Sequence, residues 1–111
     1  MNIELLWWEG CPSTESALAA VRGALSELGL SDVEVRMREV ATDADARDAR
    51  FVGSPTILID GADLVPAADE EQIGLSCRVY RHRDGRVSPI PDPDDLREAL
   101  ARAAQRAEAK R

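Results

Sequence analysis

A change of hydrophobic period near the start of the chain constrains the fold more than any other feature. Residues 2–8 (NIELLWW) form a short apolar run, which is typical of a buried strand. In residues 12–29, apolar side chains recur every three or four positions, which predicts an amphipathic helix. Apolar and charged residues alternate in residues 33–38, and this period of two predicts a second strand. The strand–helix–strand order therefore predicts a right-handed crossover between two parallel strands.

The remaining segments complete a two-layer α/β architecture. Thr42 is a candidate N-cap for the helix that follows it, and the apolar stripe of the last helix is Leu96, Leu100 and Ala103. The predicted order is β-α-β-α-β-β-α, with the helices packed against a four-stranded mixed sheet. The later elements are a short polar helix (43–50), a third strand (56–59), an acidic surface loop (62–74), a fourth strand (75–81) and a final helix that Asp92 or Asp94 caps.

Length and composition restrict the class of protein. The 111 residues are predicted to form a single domain (1–111), and a hydrophobic content of 44% is too high for a disordered chain. A net charge of -7 argues against a nucleic-acid partner, which is usually met by excess Lys and Arg. No apolar run approaches the roughly 20 residues of a membrane span, and Glu4 and Glu9 do not fit a signal peptide. A cytoplasmic location without a membrane partner is therefore expected.

The content of cysteine and histidine excludes several kinds of site. Cys11 and Cys77 are too few for a disulfide scaffold and, with the single His82, too few for a closed four-ligand zinc site. A two-cysteine iron–sulfur cluster would need ligands from a second chain. We therefore expect two free thiols and no resident metal.

Cys11 follows the first predicted strand and comes just before the first predicted helix. The unpaired backbone N–H groups and the dipole at a helix N-terminus favour an anion, so a cysteine there tends to have a depressed pKa and enhanced reactivity. This position favours a nucleophilic or redox-active thiol. The structural alternative, a small buried residue at the helix start, remains open at this point.

Two motifs together resemble a known superfamily. Cys11-Pro12-Ser13-Thr14 follows the first strand, and Gly53-Ser54-Pro55-Thr56 enters the third. In this order and spacing they resemble the active-site face of the thioredoxin fold, in its compact, glutaredoxin-like form. The resemblance implies that Cys11 is the nucleophile, that Pro55 is a cis-proline facing it, and that the backbone of Ser54 binds substrate. Thr14 stands where a dithiol member has its resolving cysteine, which implies a monothiol site. The Thr14 hydroxyl either donates to the thiolate or is only a polar residue of the first helical turn, and both roles remain open at this point.

Cys77 is the candidate replacement for the missing resolving cysteine. If the fourth strand runs antiparallel to the third, Cys77 lies about 10–13 Å from Cys11, whereas a disulfide needs Cα atoms within about 7 Å. A packed core thiol is therefore the favoured role. A resolving thiol, or one ligand of a two-thiol site for a soft metal, remains open.

A basic island, residues 78–86 (RVYRHRDGR), interrupts the acidic chain and has Arg81, His82 and Arg83 at its centre. Under the thioredoxin-like interpretation these residues fall near the thiol end of the sheet, where Arg81 would bind a carboxylate of the substrate. A solvated strand end is the simpler account, and nothing places His82 beside Cys11 as a general base. Trp7 and Trp8 point to opposite faces of the first strand, so one indole is expected in the core, and Trp8 or Glu9 is the candidate to flank the thiol and contact the substrate.

These features predict a thiol–disulfide oxidoreductase that acts through Cys11 and forms mixed disulfides with a small thiol or a protein. No bound cofactor is expected, and a low-molecular-weight thiol is the expected co-substrate. The first alternative is a non-catalytic thioredoxin-like binding module, for which a homodimer is left open. The second is a handler of soft metals or organomercurials that uses both cysteines.

Overall fold

The computed structural model describes residues 1–49, 51, 53–64 and 78–109, and these residues form an α/β fold. Three helices and a four-stranded mixed sheet confirm the predicted class. In chain order the elements are β1 (Ile3–Trp7), α1 (Thr14–Glu27), β2 (Val35–Glu39), α2 (Asp43–Ala49), β3 (Thr56–Ile59), β4 (Ala62–Asp63), β5 (Tyr80–Arg81), β6 (Val87–Ser88) and α3 (Pro93–Ala109).

The main sheet has the strand order β2-β1-β3-β4. Strands β1 and β2 are parallel, with Ile3 opposite Val35, which confirms the predicted parallel pairing of the two strands that α1 connects. Strand β3 is antiparallel to β1, and β4 is antiparallel to β3. The central position of β1 brings its carboxyl end beside the start of β3, because Leu6 pairs with Thr56.

The predicted position of the fourth strand is wrong. The strand that pairs with β3 is β4, in a stretch predicted to be loop. Asp60 (φ 52°) and Gly61 (φ 85°) both have positive φ, which suits a two-residue hairpin turn and returns the chain directly onto β3. Tyr80 and Arg81 instead form β5, which pairs with β6 in a separate two-stranded sheet. Residues 75–77 of the predicted strand lie outside the described residues.

The helix boundaries follow local capping chemistry. Helix α1 begins at Thr14 rather than at Pro12, and it ends before Gly29, whose φ of 71° is the left-handed conformation common at helix ends. The backbone N–H of Asp45 donates to Oγ1 of Thr42 at 3.1 Å, which confirms Thr42 as the cap of α2. Arg50, the predicted last residue of that helix, lies outside the described residues.

Both faces of the sheet are covered. Helices α1 and α3 pack on one face, in a core that includes Ile3, Leu5 and Ile57, and the predicted stripe of α3 is buried there. A second cluster of Leu6, Val40, Ala46 and Phe51 covers the other face. The adjacent indoles divide between them: Trp7 packs against the first cluster and Trp8 against the second.

The second strand departs from its predicted burial. The alternating pattern predicts that Met37 is buried, yet Met37 is 41% exposed and the rest of β2 is exposed or half-buried. The reason is that β2 lies at the end of the main sheet, where the packed helices give it little cover. Among the described residues, no helix is both long and apolar enough to cross a membrane.

Candidate functional site

Cys11 lies in the turn that connects β1 to α1. Its backbone N–H donates to the carbonyl oxygen of Trp8 at 3.0 Å, which folds the chain back after the strand. The residue is 8% exposed, and its Sγ donates to the carbonyl oxygen of Ser54 at 3.5 Å. The turn therefore brings the thiol to the segment that enters β3, 43 residues further along the chain.

Hydrogen bonds to its backbone carbonyl oxygens hold the segment Gly53–Pro55 in place. The Ser54–Pro55 peptide bond is cis, which is the isomer that the resemblance implies. Three successive carbonyl oxygens accept hydrogen bonds: that of Gly53 from the Thr56 hydroxyl at 2.6 Å, that of Ser54 from the backbone N–H of Arg78 at 2.8 Å, and that of Pro55 from the Tyr80 hydroxyl at 2.5 Å. The carbonyl oxygen that meets the thiol is thus held in a fixed position.

Arg78 is the part of this site that sequence reasoning missed. Its side chain is 6% exposed. The guanidinium donates to Asp63 at 2.8 Å and to Thr56 at 3.2 Å, and it lies 4.8 Å from the centre of the Tyr80 ring. The available signal was the spacing of Arg78 and Tyr80, which places both side chains on one face of an extended segment. The sequence shows no partner for a buried arginine, however, because Asp63 comes from a strand that was not predicted.

Two buried hydroxyls near the thiol have no hydrogen-bond partner among the described residues. One is Oγ1 of Thr14, so the predicted hydrogen bond from the Thr14 hydroxyl to the Cys11 sulfur is absent in this structure, where Cys11 is a protonated thiol. The other is Oγ of Ser54, a residue that is fully buried. Unsatisfied buried polar groups are uncommon in folded proteins and mark places where a ligand or solvent can complete the bonding.

Within the basic island, Arg83 contacts α3. The Arg83 guanidinium binds Asp95 at 2.7 Å and Glu98 at 2.6 Å, and these carboxylates hold its pKa above the usual range. His82 Nε2 lies 2.9 Å from the carbonyl oxygen of Ile90. Arg81 is exposed, and no contact in the described part of the chain joins it to Cys11. Its predicted role in substrate binding stays a prediction.

A groove opens beside the cysteine turn. It has a volume of about 410 Å³ and is lined by Trp8, Glu9, Gly10, Glu39, Val40 and Ala41. The Trp8 ring lies against Gly10, where an added Cβ would come within 2.2 Å of the indole. Gly10 directly precedes Cys11, so the groove adjoins the thiol along the chain.

Cys77 lies outside the described residues, and its predicted roles as core thiol, resolving thiol or metal ligand stay predictions. Within the described ranges, no group of three or more His, Cys, Asp and Glu side chains could hold a metal ion.

Comparison with known proteins adds no relative to this description. No protein-family model, curated protein or solved structure matches the chain.

Proposed function

We propose that this chain is a thioredoxin-like protein that exchanges thiols and disulfides through Cys11. The observation that carries the proposal is the 3.5 Å contact between Cys11 Sγ and the Ser54 carbonyl oxygen, at the residue before Pro55. It joins the two motifs on which the resemblance rests, although 43 residues separate them. The parallel β1–β2 crossover and the antiparallel β3 support the same architecture.

The proposed reaction needs one protein sulfur. The Cys11 thiolate attacks one sulfur of a disulfide, a bond forms between the two sulfurs, and the old disulfide bond breaks. The leaving thiolate takes a proton from solvent. A low-molecular-weight thiol then attacks the mixed disulfide as its thiolate and becomes a disulfide itself, which returns Cys11 to its reduced form. No bound cofactor takes part in this cycle.

The surroundings of Cys11 determine how a substrate reaches it. Gly10 and Pro12 are exposed on either side of Cys11, which is itself 8% exposed, and we expect the disulfide to approach between them. Deprotonation of Cys11 removes the hydrogen bond from Sγ to the Ser54 oxygen. The buried hydroxyl of Thr14 is then available to donate to the thiolate, which would satisfy a group that has no partner among the described residues.

The rate at which iodoacetamide alkylates Cys11 tests the proposal. We expect an apparent pKa below the value of about 8.5 for a free cysteine, together with formation and turnover of a mixed disulfide at Cys11. Peptide mass spectrometry assigns the reaction to Cys11 rather than Cys77, and Cys11→Ser is the control for turnover. An apparent pKa near 8.5 without turnover would contradict the proposal.

One observation favours a non-catalytic binding module instead. Cys11 is buried and its thiol already has a hydrogen-bond acceptor, as expected of a structural residue. The alkylation experiment separates the two, because a structural thiol reacts slowly at every pH and is not turned over. The soft-metal alternative depends on Cys77 and stays a prediction.

A further inference from the structure

We propose that a covering segment, residues 78–80, closes the backbone of Ser54 and Pro55 to polypeptides. Cys11 then exchanges the disulfides of small thiols and excludes disulfides held in extended peptides. The inference rests on the proposed function and specifies its substrate class. It departs from the role in substrate binding that the resemblance implies for the backbone of Ser54.

An extended peptide binds a protein through hydrogen bonds to backbone groups that have no other partner. The carbonyl oxygens of Ser54 and Pro55 would be the acceptors beside the thiol, and both already have donors within the chain. The backbone N–H of Arg78 donates to the Ser54 oxygen at 2.8 Å, and the Tyr80 hydroxyl donates to the Pro55 oxygen at 2.5 Å. A peptide therefore has to displace the covering segment before it can form these hydrogen bonds.

The second lone pair of the Ser54 oxygen is not open to a peptide either. A backbone carbonyl oxygen has two lone pairs, and this oxygen also accepts from Cys11 Sγ at 3.5 Å. Deprotonation of Cys11 ends that hydrogen bond but leaves the sulfur beside the oxygen. A peptide N–H that approached this lone pair would compete with the sulfur atoms of the reaction itself.

The side of the thiol that faces β3 is closely packed. Ser54 is 0% exposed, Pro55 is fully buried, and Tyr80 is 3% exposed. A Cβ on Gly53 would come within 2.9 Å of the backbone nitrogen of Arg78, so the covering segment lies directly against the chain that enters β3. No room is left there for a further strand.

A small disulfide needs only the exposed side of the thiol. Gly10 and Pro12 are exposed, and Cys11 lies between them with 8% of its surface accessible. The two sulfurs of 2-hydroxyethyl disulfide carry short flexible chains, which stay in solvent when one sulfur reaches Cys11. A cysteine within a peptide carries backbone in two directions, and one of these runs toward the covered side.

The covering segment is anchored by its own side chains. The Arg78 guanidinium donates to Thr56 at 3.2 Å and to Asp63 at 2.8 Å, and it lies 4.8 Å from the centre of the Tyr80 ring. Val79, between these two residues, is 64% exposed, so the side chains alternate between the protein and solvent. Displacement of the segment would break a buried ion pair, which is strongly unfavourable.

The reaction follows the proposed cycle and balances. The Cys11 thiolate attacks one sulfur of the small disulfide, a bond forms between the two sulfurs, and the other sulfur leaves as a thiolate that takes a proton from solvent. The disulfide is the oxidant, and Cys11 is oxidised to the mixed disulfide. The covering segment takes no part in the chemistry and determines only which substrates reach the thiol.

Two uncharged disulfides test this specificity: 2-hydroxyethyl disulfide, and the disulfide-linked dimer of a short peptide with blocked termini and a central cysteine. Mass spectrometry measures the rate of mixed-disulfide formation at Cys11. Each rate is divided by that of free 2-mercaptoethanol with the same disulfide, which removes the intrinsic reactivity. We expect the normalised rate of the peptide disulfide to be lower by roughly 5- to 150-fold, the equivalent of two broken hydrogen bonds.

Tyr80→Phe assigns the specificity to the covering segment. It keeps the ring beside the Arg78 guanidinium and removes the hydrogen bond to Pro55, so the peptide disulfide should gain roughly 2- to 10-fold relative to the small one. A variant that only weakens the fold would change both rates alike. Ser88→Ala is the matched control, because Ser88 pairs with Tyr80 in the same hairpin and its hydroxyl accepts from the Ile90 backbone N–H. Its ratio should equal that of the unmodified chain, and an unchanged ratio in Tyr80→Phe would overturn the role of Tyr80.

Hydrogen exchange of the Arg78 amide gives a second measurement that needs no substitution. Because this amide donates to the Ser54 oxygen, it should stay protected in the mixed disulfide of Cys11 with 2-mercaptoethanol. Loss of that protection would show that substrate displaces the covering segment and would contradict the inference. If Cys11 reacts with both disulfides at equal normalised rates, the inference fails and the proposed function stands. If Cys11 reacts with neither, the proposed function fails, and the substrate class fails with it.

Discussion

At the scale of single residues, the carbonyl oxygen of Ser54 organises the candidate site. It accepts from the Cys11 thiol at 3.5 Å and from the Arg78 backbone at 2.8 Å. The preceding residue allows this close approach, because Gly53 has a φ of 147° and no side chain on the Arg78 side. An added Cβ would lie 2.9 Å from the backbone nitrogen of Arg78.

We therefore expect Gly53→Ala to destabilise the fold by about 1–3 kcal/mol, through an unfavourable backbone conformation and overlap with Arg78. Displacement of the Ser54 oxygen should also change the rate at which Cys11 is alkylated. Urea unfolding gives the stability and the alkylation assay gives the rate.

The matched control for this substitution is Gly23→Ala in α1. A Cβ at Gly23 has no atom within 4 Å, so the change should stabilise the helix by about 0.5–1 kcal/mol. Equal effects of the two substitutions on the unfolding midpoint would show that the Gly53 backbone is not constrained as described.

At the scale of elements, Asp92 joins the start of α3 to the β5–β6 hairpin. Its Oδ1 accepts from the backbone N–H of Asp94, and its Oδ2 accepts from that of Arg83, both at 2.8 Å. The hydrogen bond from Arg83 is the main cause that holds the Asp92 pKa below its usual range, and those from the first turn of α3 add to it. The hairpin and the helix thus share one buried carboxylate.

The two hydrogen bonds to Asp92 predict how the stability of the fold changes with pH. Because its pKa is lower in the folded state, Asp92 binds fewer protons there, so it stabilises the fold above about pH 4, the usual aspartate value, and loses that effect as the pH falls through the folded pKa. Asp92→Asn should be less stable at pH 7, because an amide has one acceptor oxygen for two donors. Its unfolding midpoint in urea should also fall less between pH 5 and pH 2.

Asp32→Asn is the control for this experiment, since Asp32 is an exposed aspartate in the turn before β2. Its midpoint should follow that of the unmodified chain at each pH. A Asp92→Asn variant with the same acid sensitivity as the unmodified chain would contradict the role of the cap.

The elements that the sequence could predict are those whose ends depend on nearby residues. Thr42 and Asp92 are followed by helices with acidic first turns, and both caps depend on residues within a few positions. β4 was missed because two residues carry no period, even though Asp60-Gly61 is a strong hairpin signal. The exposed Met37 follows from strand order, which no local pattern encodes.

At the scale of the whole molecule, Arg78 connects the two sheets. It lies two residues before the start of β5, and its guanidinium reaches Thr56 in β3 and Asp63 in β4. The Tyr80 hydroxyl makes a parallel link to Pro55. Burying the charged Arg78 guanidinium costs desolvation free energy, so its hydrogen bonds to Thr56 and Asp63 are needed to stabilise it inside the protein.

Asp63→Asn should destabilise the fold by roughly 1–3 kcal/mol. The substitution removes the carboxylate that pairs with the guanidinium of Arg78, whose side chain is only 6% exposed. Asp84→Asn is the control, since the Asp84–Arg86 pair is exposed and should contribute little. Urea unfolding measures both. Equal midpoints for the two variants would contradict a structural role for the Arg78–Asp63 pair.

The candidate site likewise contains residues that short motifs identify and residues that are identified only by contacts between distant parts of the chain. Cys11 and Pro55 could be singled out because each belongs to a short motif beside a predictable strand. The ion pair of Arg78 with Asp63 could not be, since it requires the three-dimensional placement of a two-residue strand.

The division of two adjacent indoles between opposite faces of the sheet has an optical consequence. Trp7 reports on the core under α1 and α3, whereas Trp8 reports on the cluster around Phe51 and on the groove. With Trp7→Phe or Trp8→Phe, the fluorescence of the remaining tryptophan follows one face at a time. The formation of the two hydrophobic clusters, one on each face of the sheet, can thus be timed separately during refolding, without an added dye.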